Sequence, residues 1–287
     1  MAEINYRAYR EYVDSRVEVN NAMMALLAGS RLAAHTLQLT AGSTRTLAEV
    51  FPAVEHIGRF NLRSDSTREL LHDADQHVSS VAVPYALATH EDFVTATLEF
   101  LSDRGRTLDT QGKQIKPWNM HEVLFRTTGY SPPTDWLGLF HVLRETRNCI
   151  IHSGGAADSK LDEVIASMSD EARAGWRRLC EGAEPESIIE RGRLRLSASH
   201  VFMAFAVTKG LGREVNASLA AELTRDEWAG LAVDDYALQA GGPRNSSAWR
   251  RGVLGFARFN YGPALLGPGE IEKAARAGGH WTASSWK

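Results

Sequence analysis

The sequence predicts an all-α protein. Over most of the 287 residues, apolar side chains recur at spacings of three and four, which is typical of amphipathic helices. Residues suited to helix ends, chiefly Pro, Gly, Ser and Asn, separate these periodic segments. One stretch, residues 188–196, instead alternates Arg191, Arg193 and Arg195 with small or apolar residues. We interpret it as a short extended segment or a hairpin arm.

Composition limits the class of protein. Hydrophobic residues make up 44% and charged residues 23%, as in ordinary globular proteins, and the length suits one large domain or two. A net charge of -3 argues against a general polyanion binder, so any contact with nucleic acid has to come from a local basic patch. Two cysteines, Cys149 and Cys180, provide no disulfide framework, which favours a reducing compartment.

The location that we expect is the cytoplasm. The first residues mix acids and bases and lack the apolar core of a secretion signal. The longest strongly apolar run, residues 201–207, is far too short to cross a bilayer, so no membrane association is predicted. Walker loops, GxGxxG patterns and paired CxxC motifs do not occur in the sequence.

Three helices are predicted in the N-terminal region. The first runs to about Gly29, and the second covers residues 47–60, with Pro52 in its first turn or two, where proline is tolerated. A short third helix starts at Ser66 or Thr67. The side chains that follow look like metal ligands but lack a metal-binding spacing, so we interpret them as solvated helix surface and predict no metal site: His72, Asp73, Asp75 and His77.

A longer helix is predicted over residues 80–104, entered through Pro84. Its apolar stripe contains one acid, Glu91, which needs an explanation because a charge within an apolar face is costly unless it is paired. An insertion over residues 105–133 follows, with a short helix over residues 119–127. We expect the aromatic residues of this insertion to pack it against the bundle, where it either covers the core or forms a lid over the active site.

The central helix of the sequence lies between Pro133, which cannot extend a helix behind it, and Gly154 and Gly155, which tolerate a left-handed cap. Its apolar stripe has Arg147 near the middle. A polar stripe with four-residue spacing runs beside it: Arg144, Asn148 and His152. Because a buried guanidinium keeps its proton, Arg147 needs a partner, and we predict that Glu91 provides it, directly or through water.

Further helices are predicted over residues 160–180 and 197–223, the latter with a kink at Gly210 and Gly212. A composition change at Gly241 and Gly242 suggests a linker. We therefore expect three consecutive regions: an N-terminal helical region over residues 1–75, a helical bundle over 76–240 and a basic, aromatic helical extension over 241–287.

The extension carries arginines interleaved with aromatic residues. Arg250, Arg251 and Arg258 lie in a segment without acids, a pattern that suits single-stranded RNA, whose bases stack on flat side chains. The other interpretation is a small helical hairpin that uses the same aromatic residues as its core.

The central helix ends in RNCIIH, residues 147–152, followed by Ser-Gly-Gly. This segment resembles the signature of the HEPN superfamily: an arginine, a polar residue directly after it, and a histidine four to six residues beyond the arginine. The helix with Glu91 resembles the helix that packs against the motif helix in that family. The resemblance covers roughly residues 80–220. It implies an up-and-down helical bundle that dimerises through its motif helices, and many members are metal-independent endoribonucleases, often toxins or antiviral effectors.

The motif residues suit RNA cleavage by attack of the 2′-OH, which leaves a 2′,3′-cyclic phosphate. Arg147 can donate to non-bridging oxygens, Asn148 can orient the imidazole or the phosphate, and His152 can serve as acid or base. Glu91 and Arg144 are supporting residues, and neither a metal nor a cofactor is predicted. Because helical positions five apart diverge by about 140°, a homodimer has to bring Arg147 and His152 of two chains together.

Other interpretations stay open. The bundle can be a non-catalytic module that binds a protein, RNA or a nucleotide, with Arg147 as a core arginine neutralised by Glu91. In a third interpretation, the basic, aromatic C-terminal extension is the functional segment that binds RNA, and the bundle only serves as its scaffold. A toxin-like ribonuclease would also have an antitoxin or a regulatory protein as a partner. Cys149, which faces away from both stripes, is expected to pack in the core.

Overall fold

The all-α prediction is confirmed. A computed structural model describes residues 3–59, 61–239 and 243–286 of the chain. It is 70% helical, with twelve α-helices and one two-stranded sheet in these residues. Within the same residues, no helix combines the length and the hydrophobicity needed to cross a membrane.

The helices and strands follow one another in this order: α1 Arg7–Leu37, α2 Leu47–Val50, α3 Ser64–His72, α4 Ala74–Asp103, α5 Met120–Thr127, α6 Thr134–Ser153, α7 Ser159–Ala166, α8 Asp170–Leu179, β1 Ile189–Glu190, β2 Arg193–Leu194, α9 Ala198–Glu222, α10 Arg225–Gln239, α11 Ser247–Asn260 and α12 Pro268–Ala277. Short 3-10 turns lie between some of them. The alternating segment is therefore a β-hairpin, in which Ile189 faces Leu194 and Glu190 faces Arg193.

The chain forms two compact units, each assembled from separate stretches of sequence. Unit 1 contains Met1–Ser15, Thr89–Pro133 and Lys209–Lys287, and unit 2 contains Arg16–Ala88 and Thr134–Thr208. The boundaries of the three predicted consecutive regions do not coincide with these limits, and that division stays a prediction. The same holds for the up-and-down order of the helices. The linker predicted at Gly241 and Gly242 lies outside the described residues.

The core of unit 2 forms around α6, which packs against α7 and α8. Two glycines allow the close approach of α6 and α8. A Cβ at Gly138 would lie 2.9 Å from the Ala172 side chain, and one at Gly175 would lie 3.4 Å from Leu139. Phe140 and Trp176 are fully buried in this core. A larger side chain at Gly138 would therefore push the helices apart.

The core of unit 1 contains a cluster of aromatic rings and a buried polar chain. The rings of Tyr12 and Phe93 stack with centroids 4.3 Å apart. The Tyr12 hydroxyl lies 3.0 Å from His90 Nδ1, and His90 Nε2 lies 2.9 Å from His121 Nε2. Burial lowers the pKa of His90 to about 3, so that it is neutral at physiological pH.

Two helix predictions are wrong. The helix expected over residues 47–60 ends at Val50, because Pro52 has no N–H to continue it, although Thr46 caps its start and accepts from the Glu49 N–H. The helix expected to enter at Pro84 begins at Ala74 and contains Pro84 in its interior. Ala82 and Val83 are fully buried beside that proline, and this burial offsets the proline's cost of about 3 kcal/mol.

Other helix limits differ from the prediction. The first helix extends past Gly29 to Leu37. The helix predicted over residues 160–180 is two helices, because the Ser169 side chain accepts from the Ala172 N–H and starts α8 anew. α9 is continuous through Gly212, where a Cβ would lie 2.5 Å from the ring of Tyr12. This glycine therefore provides room for a packed ring and does not mark a break.

Candidate functional site

The end of α6 is fixed in place by the hairpin. The helix closes where Gly154 and Gly155 take φ values of 56° and 83°. The Gly155 N–H then donates to the Cys149 carbonyl over 2.9 Å. The chain runs on beside β2, where the Leu194 N–H donates to the Gly155 carbonyl over 2.8 Å. The segment that follows the last turn of α6 is thus joined to the hairpin by backbone hydrogen bonds.

His152 is exposed on this last turn. Ile151, beside it, is also exposed, with 54% of its surface open to solvent. Solvent can therefore reach the imidazole in the isolated chain.

A buried carboxylate organises the polar stripe. Glu145, only 6% exposed, accepts a hydrogen bond of 2.9 Å from Asn148 Nδ2 and lies 2.6 Å from Arg144 Nη2. Because an ionised carboxylate can only accept, the amide nitrogen of Asn148 has to face it, and no residue in the described part of the chain donates to the amide oxygen. We call these three residues, Arg144, Glu145 and Asn148, the polar cluster.

The polar cluster contains two residues of the predicted site, Arg144 and Asn148, and one residue that was not predicted, Glu145. Arg144, a supporting residue of the predicted site, pairs with Glu145, and its side chain is only 14% exposed. Glu145 was missed by the sequence interpretation. The available signal was its spacing, because residues three apart on a helix are neighbours and Glu145 lies three residues before Asn148.

Arg147 lies half-buried on α6. On the predicted apolar stripe around it, Leu139, Phe140 and Leu143 are buried. Glu91 is also half-buried, but it belongs to unit 1 whereas Arg147 belongs to unit 2. Their pairing stays a prediction.

Neither cysteine suits nucleophilic chemistry. Cys149 is 1% exposed, and burial raises the pKa of its thiol. Burial also raises the pKa of Cys180 to about 12, and its sulfur lies 3.5 Å from that of Met203. The interpretation of Cys149 as a packing residue is confirmed.

The aromatic residues of the C-terminal extension serve mainly as core of unit 1. Trp249 and Tyr261 are 3% and 1% exposed, and Phe256 packs on Tyr236 with ring centroids 5.6 Å apart. Phe259 alone among the four aromatic residues of this segment is open, at 82% exposure. Three of the four rings therefore pack as core, as in the hairpin interpretation, but α11 and α12 pack more on α10 than on each other.

The arginines of the extension differ in their surroundings. Arg250 donates to the Trp286 carbonyl over 2.7 Å, which ties α11 to the C-terminal residues. Arg251 and Arg258 are exposed. Two of the three arginines are therefore open to solvent, and one is held by the chain itself.

The acidic and histidine side chains around α3 lie mostly on the surface. His72, Asp73 and His77 are exposed, and Asp75 pairs with Arg31 at 2.8 Å. Among the residues that the structure describes, no group of three or more His, Cys, Asp or Glu is arranged to hold a metal ion.

Comparisons of this chain with protein-family models, with curated proteins and with solved structures found no match. The resemblance to the HEPN superfamily therefore rests on the motif at the end of α6 and its helical surroundings. Any function has to be argued from the residues at that helix end.

Proposed function

We propose that this protein is a metal-independent endoribonuclease of the HEPN type. The observation that carries the proposal is the exposed imidazole of His152, one helical turn beyond an Asn148 whose amide is oriented by the buried Glu145. Such an arrangement offers a proton-transfer group in contact with solvent and a fixed acceptor beside it.

The reaction is a transesterification within the RNA. The imidazole of His152 takes the proton of a 2′-OH, the 2′-oxygen forms a bond to phosphorus, and the bond from phosphorus to the 5′-oxygen breaks. A protonated imidazole donates a proton to that leaving oxygen. Arg147 donates to the non-bridging oxygens, where negative charge builds up in the transition state. The products are a 2′,3′-cyclic phosphate and a 5′-hydroxyl.

A homodimer completes this site. Arg147 and His152 are five positions apart and diverge by about 140° around the helix axis, so one chain does not direct both side chains at one phosphate. A two-fold axis beside the end of α6 would combine Arg147 of one chain with His152 of the other, and supply a second imidazole as the acid. The exposed Ile151 beside His152 suits burial against a second copy.

The oligomeric state can be tested at Ile151. We expect Ile151→Asp to give a monomer without ribonuclease activity, because a carboxylate would have to be buried at the interface. Leu32→Asp is the matched control, since Leu32 is 68% exposed on α1 of the same unit. Sedimentation velocity measures the mass of both variants. A wild-type protein that sediments as a monomer at micromolar concentration would exclude the dimeric site.

The catalytic role of His152 is tested by incubating purified protein with RNA in EDTA. We expect cleavage by the wild type and none by His152→Ala. His35→Ala is the control, because His35 is likewise an exposed histidine in the last turn of a helix, α1. Equal activity of His152→Ala and His35→Ala would reject the proposal.

One observation favours a second function, a non-catalytic module of the same fold that binds RNA, a nucleotide or a protein. The positive charge of Arg144 is offset by Glu145, so the polar cluster is stable without any ligand. RNA that stays intact while still binding the wild-type protein would select this alternative.

The proposed activity suggests a biological setting. A ribonuclease that cuts RNA in the cytoplasm without a metal has to be restrained in a healthy cell. An antitoxin or another regulatory protein would provide that restraint, in toxin–antitoxin or antiviral defence.

A further inference from the structure

The β-hairpin carries three arginines next to the end of α6. β1 and β2 are joined by two residues, Arg191 and Gly192, whose φ values are 51° and 75°. Positive φ at both central positions is the geometry of a type I′ turn. We call residues 190–195 the arginine hairpin. Arg191, at its tip, and Arg193 and Arg195 on its second arm are all exposed.

The arginine hairpin forms one wall of a basic groove in unit 2. The groove encloses a cavity of about 640 Å³, and its lining includes all three arginines together with His77, Ile150 and Gly154. The acid in its lining is Glu190. Three guanidinium groups against one carboxylate give the groove a net positive charge in a protein whose total charge is -3.

The three arginines differ in how they are held. Arg193 donates to the Gly154 carbonyl over 2.9 Å, and Arg195 pairs with Glu190 at 3.0 Å. Within the described part of the chain, the side chain of Arg191 has no hydrogen bond or ion pair. Two arginines thus have partners that fix their direction, while the third offers all five of its N–H donors to a ligand.

The position of Arg191 is unfavourable for an arginine. The first central residue of a type I′ turn is usually Asn, Asp or Gly, because a side chain with positive φ places its Cβ against the backbone. An arginine at φ 51° therefore destabilises the turn relative to an asparagine. Replacing Arg191 by asparagine therefore removes the cation without straining the turn.

We propose that the arginine hairpin binds the phosphodiester backbone of single-stranded RNA. A guanidinium matches a phosphate with two parallel hydrogen bonds, and a groove open to solvent admits a flexible strand. A shallow site of this kind reads the backbone and not the base sequence.

The groove is separate from the proposed site of cleavage. Ile150, which lines it, and His152 are two positions apart and point about 160° away from each other around the helix axis. An α-helix with its side chains is only about 10 Å across, so a strand that crosses the end of α6 would reach both places. This route to His152 rests on the proposed function, whereas phosphate binding by the arginine hairpin does not.

The test measures binding without cleavage. A fluorescently labelled, 2′-O-methylated single-stranded RNA of twelve nucleotides has no 2′-OH to attack, and its affinity for the full chain is read by fluorescence anisotropy. The test variant is Arg191→Asn, which removes the cation and suits the turn. Arg178→Asn is the control, because Arg178 is an exposed arginine on α8 of the same unit.

We expect Arg191→Asn to bind about 5-fold more weakly at 0.1 M salt. The slope of log affinity against log salt concentration should become shallower by about 0.7, the value for one lost phosphate contact with a single strand. Arg178→Asn should bind as the wild type does, and the melting temperature of Arg191→Asn should equal or exceed that of the wild type.

Three results would overturn the inference: a wild type that does not bind the RNA, an Arg191→Asn variant that binds as tightly as the wild type, or an equal loss in Arg178→Asn. The readout also separates this inference from the proposed function. Binding that depends on Arg191, in a protein that leaves unmodified RNA intact, would support the arginine hairpin and reject the ribonuclease.

Discussion

Replacing Glu145 by glutamine tests whether the polar cluster is a buried structural unit. The carboxylate interacts with Asn148 at 2.9 Å and with Arg144 at 2.6 Å, and the two charged side chains are only 8% and 14% exposed. Glutamine keeps the shape but removes the negative charge, so that Arg144 remains as a nearly buried cation without its counter-ion. One charge-assisted hydrogen bond contributes about 1.5–3 kcal/mol, and breaking a buried ion pair costs about 3–5 kcal/mol. Since glutamine can still accept one bond, we expect a loss of about 2–4 kcal/mol in the free energy of unfolding.

The assay is urea unfolding followed by circular dichroism. With a slope of about 3 kcal/mol per molar urea, the midpoint of Glu145→Gln should fall by about 1 M. Glu190→Gln is the matched control, because the Glu190–Arg195 pair is 55% and 59% exposed and such pairs contribute about 0.2–1 kcal/mol. If both variants lowered the midpoint equally, the polar cluster would not be the buried unit that the geometry describes.

Three further predictions concern stability. Burial lowers the pKa of His90 to about 3 and that of His200 to about 4. Below pH 6.5 the unfolded chain therefore binds protons that the folded chain does not. The free energy of unfolding should be highest above that pH and lower by up to about 5 kcal/mol at pH 4.5. A urea midpoint that stays constant between pH 7 and 4.5 would contradict this. Gly155 has a φ of 83°, which is unfavourable for a residue with a Cβ, so Gly155→Ala should lower the free energy of unfolding by about 1–2 kcal/mol. The loss is measured as a lower melting temperature. An unchanged melting temperature would refute the left-handed helix end. The hydrogen bond from Arg106 lowers the pKa of Glu227 to about 2. Glu227→Gln should therefore lower the free energy of unfolding by about 1–3 kcal/mol at pH 7 but by little at pH 2. An equal loss at both pH values would show that the carboxylate charge is not the cause.

The limits of α6 could be predicted from local chemistry. The prolines before Thr134 and the glycines after Ser153 act on their own backbone, so the residues at these positions are sufficient to set the helix ends. The same is true of the hairpin, where alternation over residues 188–196 indicated an extended segment. Interactions within a few residues of each other are visible in sequence.

Features that depend on tertiary packing were missed. Pro84 looked like a helix start because proline is unfavourable inside helices, but the burial of Ala82 and Val83 outweighs that penalty. Gly212 looked like a kink, yet it accommodates the ring of Tyr12, which lies 200 residues away in the chain. A contact between residues so far apart in the chain leaves no pattern in the sequence around either residue.

The candidate site was predicted in part. The sequence places His152 in the last turn of α6, and the structure has it there and exposed, while its catalytic role stays a prediction. Glu145 was overlooked because a carboxylate next to an arginine in sequence resembles an ordinary surface pair. Its position three residues before Asn148 places it within reach of that amide, and its burial, at 6% exposure, distinguishes it from a surface residue.

The chemical identity of the RNA ends tests the central claim most directly. RNA of defined sequence is incubated with the full-length protein in EDTA, and the fragments are analysed by mass spectrometry. We predict 2′,3′-cyclic phosphate and 5′-hydroxyl ends with the wild type and no fragments with His152→Ala. Intact RNA with the wild type, 3′-hydroxyl ends, or the same fragments from His152→Ala would contradict it.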